Sequence, residues 1–465
     1  MRTNKSIIFS VTGVLFIILA LLTSCKSDSQ KADELRINNK FDEAFELYQR
    51  ASDNGDSYAK WRLSRSYDNG DGVDFSESIS LKLLKEAADE GCIEAKCDLA
   101  FAYMFNWYGI ENEEEKGKEL LENIAKDTDN AFVLSRYAIL YFYGAPGFEE
   151  NKEKAMRILN KVKDKEDPDY LYMMGRVYMS GTDEIDIDED KGIEYLTKAF
   201  DKGLRRVADD LTRTYSMGYG KIKPDKSKAY EWVKKGIESN NTDCMRWMAL
   251  ACLSDDSLYN DVQNIQRGVE LLKKAALHGD GDAYSYLGTL YYGGKHLPKD
   301  DSKAFDNWEK STALRSGDGA FHLGFAYIEG NGCDIDIEKG IGLWEKAVEY
   351  GHGGAANNLF CHYNNGDYGG KNKRNKELAK KYLLKAAELG DVVGCFNLGR
   401  EYFFGNNLME KNNSQAFIYI QRAADKGFVE ACNWMAYFYE NGIGCNKDPD
   451  KAKEYKDKTK AKEDK

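Results

Sequence analysis

The sequence predicts an almost all-α protein, a solenoid of stacked helix-turn-helix units, and three observations predict it. A pattern of a small residue, a large apolar residue, a tyrosine and a glycine recurs at fixed spacing through eleven successive stretches of the 465-residue chain, with the glycine missing from two of them and the tyrosine from one. Their four-residue steps follow one face of a helix. Proline is scarce at 5 residues against 30 tyrosines, and the 42% hydrophobic content shows few strand-type alternations.

The chain opens with the features of a targeting segment. Arg2 and Lys5 precede an apolar run from Ile7 to Leu22, which Thr23, Ser24 and Cys25 follow. These are the basic, apolar and cleavage regions of a secretory signal. Leu22-Thr23-Ser24-Cys25 resembles the lipobox of bacterial lipoproteins, which implies cleavage before Cys25 and acylation of its thiol. The alternative, a transmembrane anchor, suits the run less well, because it is short for ~30 Å of hydrocarbon and contains Ser10, Thr12 and Gly13. Several acyl chains on one residue anchor stably where one does not. Residues 1–25 are therefore expected to be a lipoprotein signal with Cys25 as the lipid attachment site, and the body to lie outside the cytoplasm. Lys26 stands where an aspartate would imply retention at the inner membrane, so the expected location is the outer membrane of the cell envelope.

Residues 26–58 come next, with Phe41, Ala44, Tyr48 and Ala51 between Ala32 and Gly55. They resemble a tetratricopeptide-like opening pair and are expected to cap the array, since an end repeat otherwise shows its apolar face to water.

From residue 59 to 450 the repeat governs. Ala59-Leu63-Tyr67-Gly70 returns as Val133-Tyr137-Tyr141-Gly144, Ala283-Leu287-Tyr291-Gly294 and Gly394-Leu398-Tyr402-Gly405, with successive starts 36 to 39 residues apart. Steps of four turn about 400° around a helix, so the pattern forms one stripe, expected to be buried. The residue after the large apolar one is small, as Gly288, Gly324 and Gly399 show, which lets a second helix approach closely. Glycine three residues past the tyrosine ends the helix in the left-handed conformation. A second helical run follows, opened by Lys303-Ala304 in one repeat and closed by Ala87-Ala88 and Gly91 in another.

These motifs, with the Gly70-Asp71-Gly72-Val73 loop, resemble the Sel-1-like repeat (SLR), a relative of the tetratricopeptide repeat. The likeness covers about Ala44 to Gly442. It implies a right-handed α/α superhelical solenoid of about eleven repeats and an adaptor role in protein complexes, often at membranes or in secretion and host contact. Asp129, Glu166 and Asn240 stand where the closing glycine is expected, and the unit starting at Cys244 lacks its tyrosine and glycine. A loosened or kinked stretch is therefore expected near residues 240 to 265. Residues 451–465, rich in Lys, Glu and Ala, are expected to form a polar capping helix that frays into a tail.

Composition and motifs argue against most chemistry. Acidic residues outnumber basic ones 78 to 66, a net charge of −12, whereas nucleic-acid binding needs a basic footprint. Nine cysteines follow Cys25. Cys333 and Cys445 stand where Val73 stands in its loop, Cys244 takes the small first position, Cys252 the place of the tyrosine, and Cys395 and Cys432 the second position of the first helix; each reads as a small apolar filler. SLR proteins join helices through cysteines about eight residues apart, as Cys244 and Cys252 are. Both lie in one helix here, ~12 Å apart against the ~7 Å a bridge allows. Cys92 and Cys97 straddle a turn and are the best pair, although free thiols are the main expectation. His278, His296, His322, His352 and His362 form no catalytic arrangement. Asp186, Asp188 and Asp190 suggest a calcium loop, but Lys191 and Thr197 occupy the places of its glycine and glutamate. Gly351-His352-Gly353-Gly354 falls at a helix turn and makes no phosphate cradle. No catalytic residue, metal or cofactor is expected.

The surface remains. The residue after the tyrosine is often large and apolar, as in Phe142, Met179, Leu253, Tyr292 and Phe403, and projects about 180° from the first residue of the repeat. This row is the candidate partner-binding groove for a protein or peptide; the plainer reading packs it between neighbouring units. The expected function is a membrane-anchored, non-catalytic protein-protein interaction scaffold. The alternative is a cell-wall (peptidoglycan) or glycan-binding accessory protein or enzyme of the periplasm.

Overall fold

A computed structural model describes residues 26–110, 113–254, 264–366, 374–405 and 408–463; the signal segment and Cys25 lie outside them. Among the described residues there are 24 α-helices and no strand, and consecutive helices pair into hairpins. The chain divides into two compact units, one ending at Gly279 and one beginning at Asp280.

The first unit begins with α1 (Asp28–Ile37), α2 (Phe41–Asp53), α3 (Ser57–Asn69), α4 (Glu77–Asp89), α5 (Ile93–Phe105) and α6 (Glu114–Lys126). It continues with α7 (Ala131–Tyr143), α8 (Lys152–Leu159), α9 (Pro168–Ser180), α10 (Glu189–Asp201), α11 (Val207–Met217), α12 (Lys226–Glu238), α13 (Thr242–Leu253) and α14 (Ile265–Leu277). The second unit holds α15 (Gly281–Gly293), α16 (Asp301–Ala313), α17 (Gly317–Glu329), α18 (Ile337–Glu349) and α19 (Gly353–Asn365). Its remaining helices are α20 (Lys376–Glu388), α21 (Val392–Phe404), α22 (Asn413–Asp425), α23 (Val429–Asn441) and α24 (Pro449–Glu463).

One local device closes the hairpins. The residue that caps the second helix donates its backbone N–H to the carbonyl of the repeat tyrosine: Asp300 to Tyr291 at 3.0 Å, Asp336 to Tyr327 at 2.8 Å, Asn412 to Tyr402 at 2.8 Å. Its side chain accepts the N–H three residues on, as Asp336 Oδ1 does from Lys339 at 3.0 Å, satisfying a donor that the helix start leaves free. The lysine at that position folds back over the tyrosine, with Nζ 4.1 Å from the ring centroid for Lys339 and Tyr327 and 4.2 Å for Lys191 and Tyr178. Tyr141, Tyr215 and Tyr439 are buried, but Tyr67, Tyr291 and Tyr402 are half-buried, because one flank of the ring serves the lysine and the solvent. The stripe is thus covered at small and large apolar positions such as Ala283 and Leu359, while its tyrosines range from buried to half-buried.

Close approach explains the small residue after the leucine. A methyl group on Gly324 would lie 2.6 Å from Trp344 Cδ1 and 2.9 Å from the Gly340 carbonyl, which no side chain tolerates. Asn240, standing in place of a closing glycine, takes the left-handed conformation itself at φ 55°. Helix α13 is regular and capped by Asn241; the loop after it, residues 255–263, lies outside the described residues. At the other end, α24 is the second helix of the last hairpin. It buries Ala452, Tyr455 and Thr459 and stacks Tyr455 on Tyr439, so the polar helix packs on the last repeat at least as far as Thr459; residues 464–465 of the expected tail lie outside the described residues.

The first unit also carries ties between distant repeats. Arg36 Nη1 donates to the Gly203 carbonyl at 3.2 Å, Arg205 Nη1 reaches Asp71 Oδ1 at 2.8 Å and the Ser239 carbonyl at 3.3 Å, and His278 Nδ1 meets the Asn69 carbonyl at 2.8 Å. No helix among the described residues is long and apolar enough to cross a membrane.

Candidate functional site

The five residues of the expected row do not share one environment. Phe142 and Met179 are 1% and 3% exposed. Met179 packs on Gly192 of the partner helix, where a methyl group would lie 2.7 Å from its Cγ. Neither side chain is open to a partner, so at these two positions the plainer packing reading describes the structure. Leu253 is half-buried against Gly268, and Phe403 is half-buried in an aromatic cluster with Phe404, Trp434 and Phe438. Tyr292 alone is exposed, at 38%, with its ring 5.7 Å from Trp308.

The row that faces outward lies one residue later. Tyr143, Met217 and Phe404, two positions past the repeat tyrosine, are 43%, 72% and 50% exposed. One residue turns a helix by about 100°, enough to carry a side chain from the hairpin interior to the free face of the first helices.

On that face of the first unit, three successive first helices, α5, α7 and α9, with Arg206 at the start of α11, line an open cavity of about 380 Å³. Its aromatic wall comes from α5 and the turn behind it: the rings of Phe101, Phe105 and Trp107 lie 5.6 to 6.2 Å apart. Asn106 and Tyr108, both at φ 56°, and Gly109 at φ 65° hold that turn in a left-handed conformation. Ile139 and Met173 extend the apolar lining from α7 and α9.

The remaining lining is Ser135, Arg136, Asp169, Tyr172 and Arg206, and Arg136 is held by an ion-pair network outside the lining. Asp98 on α5 is buried and accepts from Trp61 Nε1 at 2.7 Å, Arg65 Nη1 at 3.1 Å and Arg136 Nη1 at 2.9 Å. Burial alone would raise its carboxyl, but Arg136 and Arg65 reverse this and hold it below the ordinary value. Arg136 lies 4.4 Å over the Phe132 ring. Arg206 pairs with Asp169 at 3.2 Å and lies 4.2 Å over Tyr172. Two buried polar atoms of lining residues, Ser135 Oγ and Arg136 Nε, have no partner, which is uncommon inside a protein.

The other sequence candidates have structural occupations. Burial pushes the Cys92 thiol up to about 12 and raises that of Cys97 as well, and both are free and buried. Asp188 caps α10 by accepting from Lys191 N–H at 3.0 Å. His352 caps α19: its Nδ1 accepts from Ala355 N–H at 2.9 Å, so the neutral ring carries its proton on Nε2, 3.3 Å from Asp318. No group of three or more metal-ligating side chains converges among the described residues.

Sequence reasoning missed the cavity because it tracked one repeat position, whereas the lining mixes several positions from consecutive repeats. A signal existed: the repeat starting at Ala95 has Asn106 where glycine is expected, and the turn built there presents Trp107.

Comparison with known proteins fits this architecture. A family model described as the Sel1 repeat matches residues 38–56, 57–92, 131–162, 168–204, 205–241, 242–280, 281–316, 317–352, 354–391, 392–428 and 429–455. The matches include part of the segment expected as a tetratricopeptide-like cap and pass over residues 93–130, which nevertheless fold as the α5–α6 hairpin. Similar solved structures include c5321, a protective antigen of uropathogenic Escherichia coli displaying an SLR fold, 21% identical over 90% of each chain with a TM-score of 0.40. A Sel1 repeat protein from Oxalobacter formigenes is 22% identical over 68% of this chain and 88% of its own, also at 0.40. The chitin synthase regulator SKT5 of Saccharomyces cerevisiae is 35% identical over 89 residues, which span 19% of this chain and only 13% of that relative. With the repeat model matching most of its length, the chain belongs to the Sel1 repeat family.

Proposed function

We propose that this protein is a non-catalytic interaction scaffold of the bacterial cell envelope, held to the outer membrane by a lipid on Cys25, which binds a protein or peptide through the free face of its first helices. The carrying observation is the cavity of about 380 Å³ on that face, with Trp107 at 41% exposure beside it and Tyr143 exposed on the next first helix. Exposed aromatics ringed by ordered charges are the composition of binding hot spots. The name of the yeast relative, a regulator of an enzyme, agrees with a partner-binding role.

The test uses the full chain in mild detergent, coupled to a support, beside the double variant Trp107→Glu, Tyr143→Glu. A partner retained by the native chain and lost by the variant supports the reading; equal retention overturns the assignment of this face. Exposed aromatics also suit sugar stacking, so peptidoglycan fragments belong in the same experiment, and their binding or turnover in place of a protein overturns the scaffold reading. For the anchor, Cys25→Ala is expected to abolish acylation and release the protein from membranes.

A further inference from the structure

We propose that His352 makes the start of α19 an acid-released joint in the second unit: on taking up a proton the imidazole loses the acceptor that caps the helix, and the stack of α19 on α17 loosens. The repeat itself supplies the comparison. At this place the other capped first helices carry oxygen acceptors, among them Asn130 at α7, Asn241 at α13, Asp280 at α15, Ser316 at α17 and Asp391 at α21. At α19 the place belongs to His352, whose Nδ1 accepts from Ala355 N–H at 2.9 Å. An amide, hydroxyl or carboxyl keeps a lone pair whether or not a proton arrives. An imidazole that gains one has two donors and no acceptor.

Three features make α19 depend on that cap. Gly353 and Gly354 open its first turn, and glycine is the weakest helix former after proline. The positive end of the helix dipole lies against the ring, so a cation there is repelled where a neutral acceptor is stabilised. The ring also serves the packing between repeats. It stacks on Phe321 of α17 with centroids 4.2 Å apart and planes 24° apart, and a methyl group on Gly317, at the start of α17, would lie 3.0 Å from its Cβ. A protonated ring meets Ala355 donor to donor and escapes only by turning, which breaks the stack on Phe321.

The charged groups around the ring compete. Burial disfavours the imidazolium, while Asp318 of α17, 3.3 Å from Nε2, and Asp391, which packs on Gly353 from the start of α21, favour it. Burial prevails, and the folded ring titrates below its ordinary 6.5. His322, within α17 and stacked on Trp308 at 5.4 Å, is also lowered by burial, with Asp318 opposing and a charge on His352 adding to the shift. Arg315, in the turn before α17, lies over Tyr350, 5.6 Å from its ring centroid. Because the unfolded ring takes the proton first, the stability that His352 supplies is complete above 6.5 and is lost as pH falls through the folded value.

The test is hydrogen exchange of the full chain in mild detergent between about pH 7.5 and 5, corrected for the intrinsic pH dependence of amide exchange, with the histidine rings followed by NMR in the same samples. Protection of the first turn of α19 is expected to fall about fivefold in step with the His352 signal, the scale of one lost N-cap. The first turns of α7 and α13, capped by Asn130 and Asn241, are expected to keep theirs. His352→Asn and His352→Ser restore at α19 the caps of α13 and α17, and each is expected to hold protection constant across the range with unchanged helical circular dichroism. Constant protection in the native chain, a His352 ring that titrates at or above 6.5, or an equal loss in both variants overturns the proposal. A transition that vanishes in His322→Gln with His352 intact belongs to the other ring and overturns it as well.

Discussion

The two units repeat one hairpin and differ in how far their polar contacts reach. In the first, Arg36 meets Gly203 and His278 meets Asn69, joining positions 167 and 209 apart. In the second, the side-chain hydrogen bonds between repeats among the described residues join neighbours, as Asn397 does to Asn357, 40 positions away. Stacked hairpins contact only adjacent hairpins until the array is long enough to meet itself. The second unit, running from Asp280 to Lys465, is hardly longer than the shorter of those two spans. The same sequence rule therefore yields a nearest-neighbour array in one unit and a cross-tied one in the other.

The comparison is broken most severely by Trp344→Ala. Trp344 is fully buried against Gly324 and Phe325, and truncating such a side chain costs about 3–5 kcal/mol. Hydrogen exchange is expected to show protection lost in α17 and α18 and recovering with distance along the second unit. Uniform loss across that unit would contradict nearest-neighbour coupling. In the first unit, Arg205→Ala removes the bonds to Asp71 and Ser239, at about 2–3 kcal/mol for a partly buried charged pair. Exchange is expected to rise together near residues 70–73 and 236–241, and a rise on one side alone would show that the tie carries no coupling.

A smaller effect sharpens the contrast through pH. Burial raises the Asp68 carboxyl to about 6, with Asp98 adding to the shift and Arg65 opposing it, and burial raises Asp167 to about 6 as well. The folded state then takes up these protons before the unfolded state does. Stability from these groups is expected to rise as pH falls through 6 towards the ordinary 3.8 and to level off below it. Asp68→Asn is expected to flatten this slope and stabilise the unit by about 1–2 kcal/mol at pH 7; urea melts at pH 5 and 7 measure both, and an unchanged slope would refute the assignment. Smallest is Lys339→Ala in the second unit, which removes the ammonium from the Tyr327 ring. An exposed pair of this kind contributes little, read as a small shift in the denaturation midpoint.

The fold was legible because each hairpin declares itself within about forty residues. Ala283, Leu287, Tyr291 and Gly294 mark one helix and its end, and Asp300 with Lys303 marks the start of the next. The site was harder to read, for two physical reasons. Inside and outside differ by one residue on these helices, so Phe142 is buried while Tyr143 is exposed. The cavity also joins Phe101, Arg136, Met173 and Arg206 across consecutive repeats, a juxtaposition that depends on the stacking geometry. The left-handed turn at Asn106 and Tyr108 shows in sequence only as a missing glycine.

The bond from the capping N–H to the tyrosine carbonyl begins and ends inside one hairpin. Copying or deleting a whole unit of the second array would leave every such closure intact, so an array of this kind can lengthen or shorten over evolutionary time without relearning how to fold. The first array lacks that freedom, because a unit gained between Arg36 and Gly203 would pull its clasp out of register.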